Sequence, residues 1–231
     1  MEWVLLRGFS EDEVEQVLAV GKRRRFARRE VVWHDGDRAD TIHLIRSGRI
    51  AVRVTTPLGE VATVAVWGPG DSAGLVDGHA SNAFHTTSAI ALQPTETLAI
   101  RVDDLADIRR RLPAVNDAVI RLLSDKVLDL VSQLVDAHYV PADTRVLRRL
   151  TVLSELYDRG DPVVVIPLTQ EDIAEVAGVT RPTVNRVLKR EEKRGTVKLS
   201  RGTVTVTDKD RLSSRSKGAD APARTVRRAT R

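Results

Sequence analysis

Short runs of alternating apolar and polar residues fill the first half of the chain. Alternation with a period of two is typical of strands that bury one face, and glycine turns between such strands are typical of antiparallel sheets. Ahead of these runs, residues 10–25 are predicted to form a helix with Ser10 as its N-cap. The pattern predicts an antiparallel sandwich or barrel-like roll in a protein of the α+β class. The runs lie at residues 42–45, 50–54, 61–66 and 97–100.

The period changes to that of a helix after residue 102. Residues 103–111 form one predicted helix, Pro113 ends it, and a longer helix follows. A mostly apolar stripe on the longer helix recurs at alternate spacings of four and three, which is typical of a two-helix seam. We expect a homodimer through residues 116–137; the alternative is a helix packed on its own domain, because further apolar residues widen the face. The stripe consists of Asn116, Ile120, Leu123, Val127, Leu130, Leu134 and Ala137, of which Ile120 to Leu134 form the predicted seam.

Farther along, two predicted helices meet at a tight turn. Such a pair needs a small residue where the helices approach, a glycine at the turn and apolar side chains in the angle between them. Thr169 with Asp172 is expected to cap the first helix, and Thr180 to cap the second. The pattern predicts a helix-turn-helix, and the alternating residues after it predict a two-stranded wing. The packing positions are Ile173, Ala174, Ala177, Gly178, Val179, Val184 and Val187.

The exposed side of the second helix carries the groups that a DNA reader needs. Arginine can bind guanine and asparagine can bind adenine, and the first turns of a recognition helix meet base edges. Residues 181–201 hold eight basic and two acidic side chains, and the later basic ones can bind phosphates. A helical hairpin with a solvated basic face is the alternative. The predicted DNA contacts are Thr169, Gln170, Thr180, Arg181, Pro182, Thr183, Asn185, Arg186, Lys189, Arg190 and Arg201.

Composition excludes several classes of protein. The 231 residues contain no cysteine, which excludes disulfides, zinc sites made of thiolates and iron–sulfur clusters held by cysteine. No arrangement of nucleophile and base is visible, so an enzyme is not predicted. No apolar run approaches the roughly 20 residues that cross a bilayer, and the first residues do not resemble a signal peptide. We therefore expect a cytoplasmic protein that makes no membrane contact.

The positive charge is concentrated at the end of the chain. Residues 212–231 hold six basic side chains and one acidic one, which equals the formal net charge of +5 of the whole chain. Residues 213–231 have almost nothing to bury and are predicted to be a disordered basic tail. The tail is expected to tether the protein to DNA without sequence preference, with a solvating tail as the alternative.

In its DNA-reading segment the chain resembles the Crp/Fnr family of transcription regulators. Residues 168–174 and 178–188 carry the resemblance, and Gly36-Asp37, Ser47-Gly48 and Pro69-Gly70-Asp71 support it. It implies a homodimer that binds a near-palindromic operator and contacts RNA polymerase. The implied domains are a cyclic-nucleotide-binding-type β-roll (a double-stranded β-helix or jelly roll) at 1–112, a dimerisation helix at 113–140 and a winged helix-turn-helix at 141–212.

The chain departs from the cyclic-AMP-responsive members in the sensor pocket. Leu75 stands where those members have a carboxylate, and the segment that should supply an arginine for the cyclic phosphate has none. A phosphate out of water needs a permanently charged, bidentate partner, so ordinary control by cyclic AMP is not expected. We expect a regulator that responds to an effector other than cyclic AMP, or to none. Two alternatives to this expectation are a cyclic-nucleotide regulator with an atypical pocket and a sensor that acts through protein contacts. The predicted pocket residues are Gly74, Leu75, His85, Thr87, Ser88, Leu130 and Val131.

Two further expectations concern single residues. Arg181 and Arg186 match the arginines of members that read a TGTGA-type half-site, but Pro182 replaces the glutamate that accepts from cytosine. The operator should therefore differ at that base pair, since proline accepts no hydrogen bond. His79 and His85 are expected to be solvated loop residues rather than haem or metal ligands, because no ligand cluster surrounds them.

Overall fold

A computed structural model describes residues 2–79 and 84–217. The chain divides into two compact units, Met1–Asp136 and Ala137–Arg231. Each unit has its own buried apolar residues. No helix within the described ranges is long and apolar enough to cross a membrane.

The first unit is a roll of antiparallel strands. The strands are β1 (Lys22–Phe26), β2 (Val31–Trp33), β3 (Thr41–Ser47), β4 (Ile50–Thr55), β5 (Val61–Trp67), β6 (Ser72–Ala73), β7 (Ser88–Ala91) and β8 (Thr95–Arg101). They form two sheets with the strand orders β1-β8-β3-β6 and β2-β7-β4-β5. Helix α1 (Glu11–Ala19) precedes the strands, and α2 (Val102–Arg111) and α3 (Ala114–Tyr139) follow them. The predicted antiparallel β-roll is therefore confirmed.

The predicted helix at residues 10–25 is wrong in its second half. Ser10 does cap α1 through a capping box with Glu13, but the helix ends at Ala19 and residues 22–26 form β1, which pairs with β8. A Cβ atom on Gly21 would overlap with the Leu98 side chain of β8. Because glycine has no side chain, the backbone after α1 can pass close to the sheet at Gly21, and the basic residues that follow form the edge strand β1.

Strand β3 lies between two cores of this unit. Ile42 and Leu44 pack into a cluster that also includes residues of α2 and of the first half of α3. Ile45 packs into a second cluster, with Trp33 of β2 and Ile50 of β4. Because successive side chains of a strand point to opposite faces, one face of β3 packs against the helices and its opposite face packs against the second sheet.

The second unit contains the helix-turn-helix. The elements are α4 (Ala142–Tyr157), β9 (Val164–Ile166), α5 (Gln170–Ala177), α6 (Arg181–Lys193), β10 (Val197–Ser200), β11 (Thr203–Val206) and α7 (Lys209–Ser216). The sheet has the strand order β10-β11-β9, so the wing that was predicted with two strands has a third. Strand β9 pairs with β11 from Val164↔Val206 to Ile166↔Val204.

Helix α7 corrects the predicted start of the disordered tail. It continues through Ser216, beyond the expected boundary at residue 213, and packs on α4. Leu212 is fully buried, and the Arg148 Nε donates to the Ser216 carbonyl oxygen at 3.2 Å. One apolar side chain and a few polar contacts thus order a segment whose composition suggests disorder. The rest of the predicted tail, residues 218–231, lies outside the described residues.

Candidate nucleic-acid interface and sensor pocket

The helix-turn-helix has the predicted caps and packing at its first helix. The Thr169 hydroxyl accepts from the Asp172 backbone N–H at 3.1 Å, and the Asp172 carboxylate accepts from the Thr169 backbone N–H at 2.9 Å. Gly178 follows α5 with a φ of 59°, where a side chain would cost about 1–2 kcal/mol. Ala174 and Val184 are buried between the helices, as predicted. The turn is therefore built into the local sequence.

The start of α6 differs from the prediction. Thr180 occupies the N-cap position, but its side chain makes no capping hydrogen bond. Its hydroxyl instead lies 3.1 Å from the hydroxyl of Thr183. Pro182 occupies the first turn, where a missing N–H costs little because the helix offers it no partner.

The basic face of α6 is open to solvent. Arg181, Arg186 and Lys189 are exposed, while Thr183 and Asn185 are half-buried at its edge. A groove between α5, α6 and the wing is lined by Gln170, Arg181 and Arg201, among other residues. Of the predicted contacts, this groove thus brings together Thr169 and Gln170 at the start of α5, Arg181 of α6 and Arg201 at the wing turn.

The sequence did not predict that an acidic residue pairs with arginines of this face. Asp143, in the first turn of α4, accepts from Arg186 Nη1 at 2.9 Å and Nη2 at 2.7 Å, and from Arg190 Nη1 at 2.9 Å. Burial by itself would raise the pKa of Asp143, but the hydrogen bonds and charges of Arg190 and Arg186 hold that pKa below its usual value. Two of the predicted DNA contacts therefore share one carboxylate.

A second acidic residue lies inside the basic segment. Glu191 is completely buried, with Arg194 Nη1 at 3.1 Å, Arg215 Nε at 3.0 Å and Arg190 Nε at 3.7 Å from its carboxylate. Arg215 belongs to α7, so the cluster fastens α7 to α6. The local positive charge counted from the sequence is therefore partly neutralised from within.

Arg145 of α4 links two neighbouring pieces of the second unit. Its Nη1 donates to the Ala137 carbonyl oxygen at 2.9 Å, near the end of α3, and its Nη2 donates to the Gly178 carbonyl oxygen at 3.0 Å. The turn between α5 and α6 is thus tied through one guanidinium to the last turn of α3. Its function could not be inferred from the sequence, because both partners are backbone groups.

In the roll, the predicted pocket residues have different environments. Gly74 has a φ of 81°, and a Cβ there would lie 2.9 Å from the Thr41 carbonyl oxygen, so the position requires glycine. Leu75 is buried in the apolar cluster between the sheet and the helices. The Thr87 carbonyl oxygen accepts from Trp33 Nε1 at 2.9 Å, and the Ser88 hydroxyl accepts from the Asp35 backbone N–H at 3.0 Å.

His85 is buried, so its assignment as a solvated loop residue is wrong. Its side chain is 3% exposed, and its Nδ1 lies 3.1 Å from Asp77 Oδ2. The ring stacks on Trp33 with centroids 4.4 Å apart, and its Cε1 lies 3.6 Å from the Cβ position of Gly74. The structure therefore brings Gly74 and His85 together. His79 belongs to the short 3-10 helix Asp77–His79. Among the described residues, no three His, Asp or Glu side chains form a group that could hold a metal.

A second buried histidine was missed from the sequence. The ring of His43 in β3 also stacks on Trp33, with ring centroids 6.0 Å apart, and its Nδ1 is 3.0 Å from the Thr97 hydroxyl. Burial, and then the charges of Arg24 and His85, lower the pKa of His43 to about 4. The ring is therefore neutral at physiological pH. Its apolar neighbours in β3 hid it, since a lone histidine in a strand carries no distinguishing pattern.

Helix α3 carries an apolar stripe that is largely exposed among the described residues. Ile120, Val127, Leu130 and Leu134 are each more than half exposed, as is Val131. Leu123 is an exception in the predicted seam, because it packs partly against the core of its own unit. The first half of α3 thus buries one face against the roll, while the apolar stripe lies on a different, solvent-exposed face of the helix.

Comparison with known proteins fits both units. Residues 23–111 match the family of cyclic nucleotide-binding domains, and residues 144–215 match the family of Crp-like helix-turn-helix domains. The cyclic AMP receptor protein of Thermus thermophilus is 30% identical over 205 residues, which cover 87% of this chain and 91% of that protein. A CRP-like cAMP-activated global transcriptional regulator of Mycobacterium tuberculosis is 25% identical over 225 residues, or 94% of this chain and 100% of that one.

The fold is also similar to that of a solved regulator. The c-di-GMP responsive global regulator CLP of Xanthomonas campestris aligns with a TM-score of 0.72 at 20% identity, over 85% of this chain and 99% of that chain. The family matches are transcription regulators rather than enzymes, and Crp-type regulators bind DNA and act as dimers. The chain belongs to the Crp/Fnr family of transcription regulators.

Proposed function

We propose that the protein binds a near-palindromic operator as a homodimer in the cytoplasm and acts on RNA polymerase there. The observation that carries the proposal is the open basic face of α6, on a helix-turn-helix whose turn and first helix are locally fixed. Arg181, Asn185 and Arg186 are the base-reading candidates, and Lys189 and Arg201 the phosphate-binding ones. The uncovered stripe of α3 supports dimerisation through residues 116–137.

We also propose that cyclic AMP does not control this protein in the usual way. Leu75 supplies no carboxylate and is part of an apolar core, while Thr87 and Ser88 supply no permanent cation. The nearest cationic candidate, His85, already faces Asp77. A buried phosphate without a charged partner loses several kcal/mol, which favours another effector or an active state that needs none.

A cyclic-nucleotide effector is the second candidate, and specific observations favour it. Two relatives are named for cyclic AMP and a structural neighbour for c-di-GMP. Gly74 keeps its left-handed conformation, and His85 lies beside it. In this version, a ring N–H of His85 would bind the phosphate that an arginine binds in cyclic-AMP-responsive members.

Selection of binding sites from random DNA, with and without a panel of cyclic nucleotides, tests these proposals. We expect a two-fold-symmetric site that differs from TGTGA at the base pair facing Pro182, and an operator affinity that saturating cyclic AMP leaves unchanged. A Pro182→Glu variant should recover the preference for cytosine, since glutamate accepts from its amino group. A tenfold gain with cyclic AMP would overturn the effector proposal, and failure to select any sequence would overturn operator binding.

A further inference from the structure

We propose that Asp143 is a positioning residue for DNA recognition, which holds one edge of the Arg186 guanidinium and leaves the other edge free to read a base. The proposal rests on the function proposed above, because it takes Arg186 to contact a base of the operator. Asp143 lies on α4, outside the helix-turn-helix, and therefore adds a determinant of specificity that the recognition helix alone does not contain.

The hydrogen-bonding capacity of arginine permits both contacts at once. A guanidinium has five N–H donors in a rigid plane, and Asp143 takes one from each terminal nitrogen of Arg186. The Nε–H and the remaining N–H of a terminal nitrogen form a second edge, which matches O6 and N7 of guanine. Within residues 2–79 and 84–217, Nε of Arg186 donates to no protein group, and the side chain stays 61% exposed.

Asp143 is itself held in place. Arg190, one helical turn beyond Arg186, donates to the same carboxylate, and the first turn of α4 favours a negative charge. The carboxylate side chain is only 27% exposed. An unsupported arginine side chain loses conformational freedom when it binds a base, and a supported one has lost part of that freedom already. The support therefore lowers the cost of the base contact and restricts the directions from which Arg186 can accept a partner.

The same ion pairs have a competing interpretation, in which Asp143 only withholds two arginines from DNA. A competitor would weaken binding to every DNA sequence, since phosphates occur in all of them. A positioning residue affects the preference at one base pair. The two interpretations therefore differ in base preference rather than in overall affinity.

The matched variants Asp143→Asn and Asp158→Asn separate them. Both remove one negative charge from the second unit, but Asp158 pairs with Lys209 at 2.7 Å and has no partner on α6. Affinities of the full chain are measured for the selected operator, for the operator substituted at each base pair, and for random DNA. An Arg186→Ala variant identifies the base pair that Arg186 reads, and circular dichroism verifies that each variant is folded.

We expect Asp143→Asn to reduce the discrimination between bases at the base pair read by Arg186 roughly five- to tenfold, and to leave discrimination at the other positions unchanged. The Asp158→Asn control should discriminate at every position as the wild-type protein does. The double variant Arg186→Ala/Asp143→Asn should discriminate no worse than Arg186→Ala. If Asp143→Asn keeps full discrimination, or tightens binding to all DNA beyond Asp158→Asn, Asp143 is not a positioning residue. A wild-type protein without any base preference would instead refute the operator-binding function itself.

Discussion

Replacing Glu191 by glutamine tests whether the buried ion cluster holds the DNA-binding unit together. The carboxylate is fully buried, whereas its partners Arg190, Arg194 and Arg215 keep 30–39% of their side chains exposed. Breaking a buried ion pair typically costs about 3–5 kcal/mol. Because these arginines can be rehydrated where they stand, we expect a smaller loss of about 2 kcal/mol. With a urea dependence of about 2 kcal/mol per molar, the unfolding midpoint should fall by about 1 M.

The distribution of tryptophan allows the loss to be located. All three tryptophans, at positions 3, 33 and 67, lie in the first unit. Urea unfolding of Glu191→Gln followed by far-ultraviolet circular dichroism should show the lower midpoint, while tryptophan fluorescence should report an unchanged first unit. Glu155→Gln, which removes an exposed carboxylate of α4, is the control. A Glu191→Gln protein as stable as this control would refute the inference that the cluster fastens α7 to α6.

Three further predictions concern the other parts of the chain. The pKa of His43 is lowered from 6.5 to about 4, so between these pH values the unfolded chain binds a proton that the folded chain excludes. The free energy of unfolding of the first unit should therefore fall by about 3 kcal/mol between pH 7 and pH 4, as measured by urea titration with tryptophan fluorescence. An equal fall in His43→Gln would contradict this cause. Leu134→Glu should sediment as a monomer, because it places charge in an apolar seam, whereas Val152→Glu on the exposed face of α4 should remain a dimer; a dimeric Leu134→Glu protein would place the seam elsewhere. Deleting residues 218–231, which contain four arginines and one aspartate, should weaken operator and random DNA binding equally and lower the salt slope by up to about 3, and loss confined to the operator would exclude a non-specific tether.

The helix-turn-helix could be predicted because its determinants are local. The cap at Thr169, the small residue at 174 and the glycine at 178 lie within ten residues, and each has one conformational consequence. The roll could be predicted as a class, since alternation and glycine turns do not depend on which strands pair. Strand β1 was missed for the complementary reason: residues 22–25 are all basic, and their strand conformation comes from pairing with β8, far along the chain.

The carboxylates of the DNA-binding unit could not be predicted from a count of charges. Such a count treats every basic side chain of α6 as solvated, whereas Arg186 and Arg190 bind a residue 43 and 47 positions away. Glu191 appears in the sequence as one of two acids on a basic helix, and nothing local reveals that it turns inward toward Arg215. His85 was misjudged likewise, because the Trp33 ring that stacks on it belongs to β2, far from it along the chain.

The apolar stripe of α3 and the basic face of α6 belong to separate units of the chain, and this separation has a genetic consequence. In the proposed dimer, a chain with Arg181 and Arg186 replaced by alanine would keep its stripe and pair with unaltered chains. Each mixed pair would have one half unable to read its half-site. In a cell that makes both chains, the fraction of intact regulators falls as the square of the unaltered share, so such an allele should be dominant-negative.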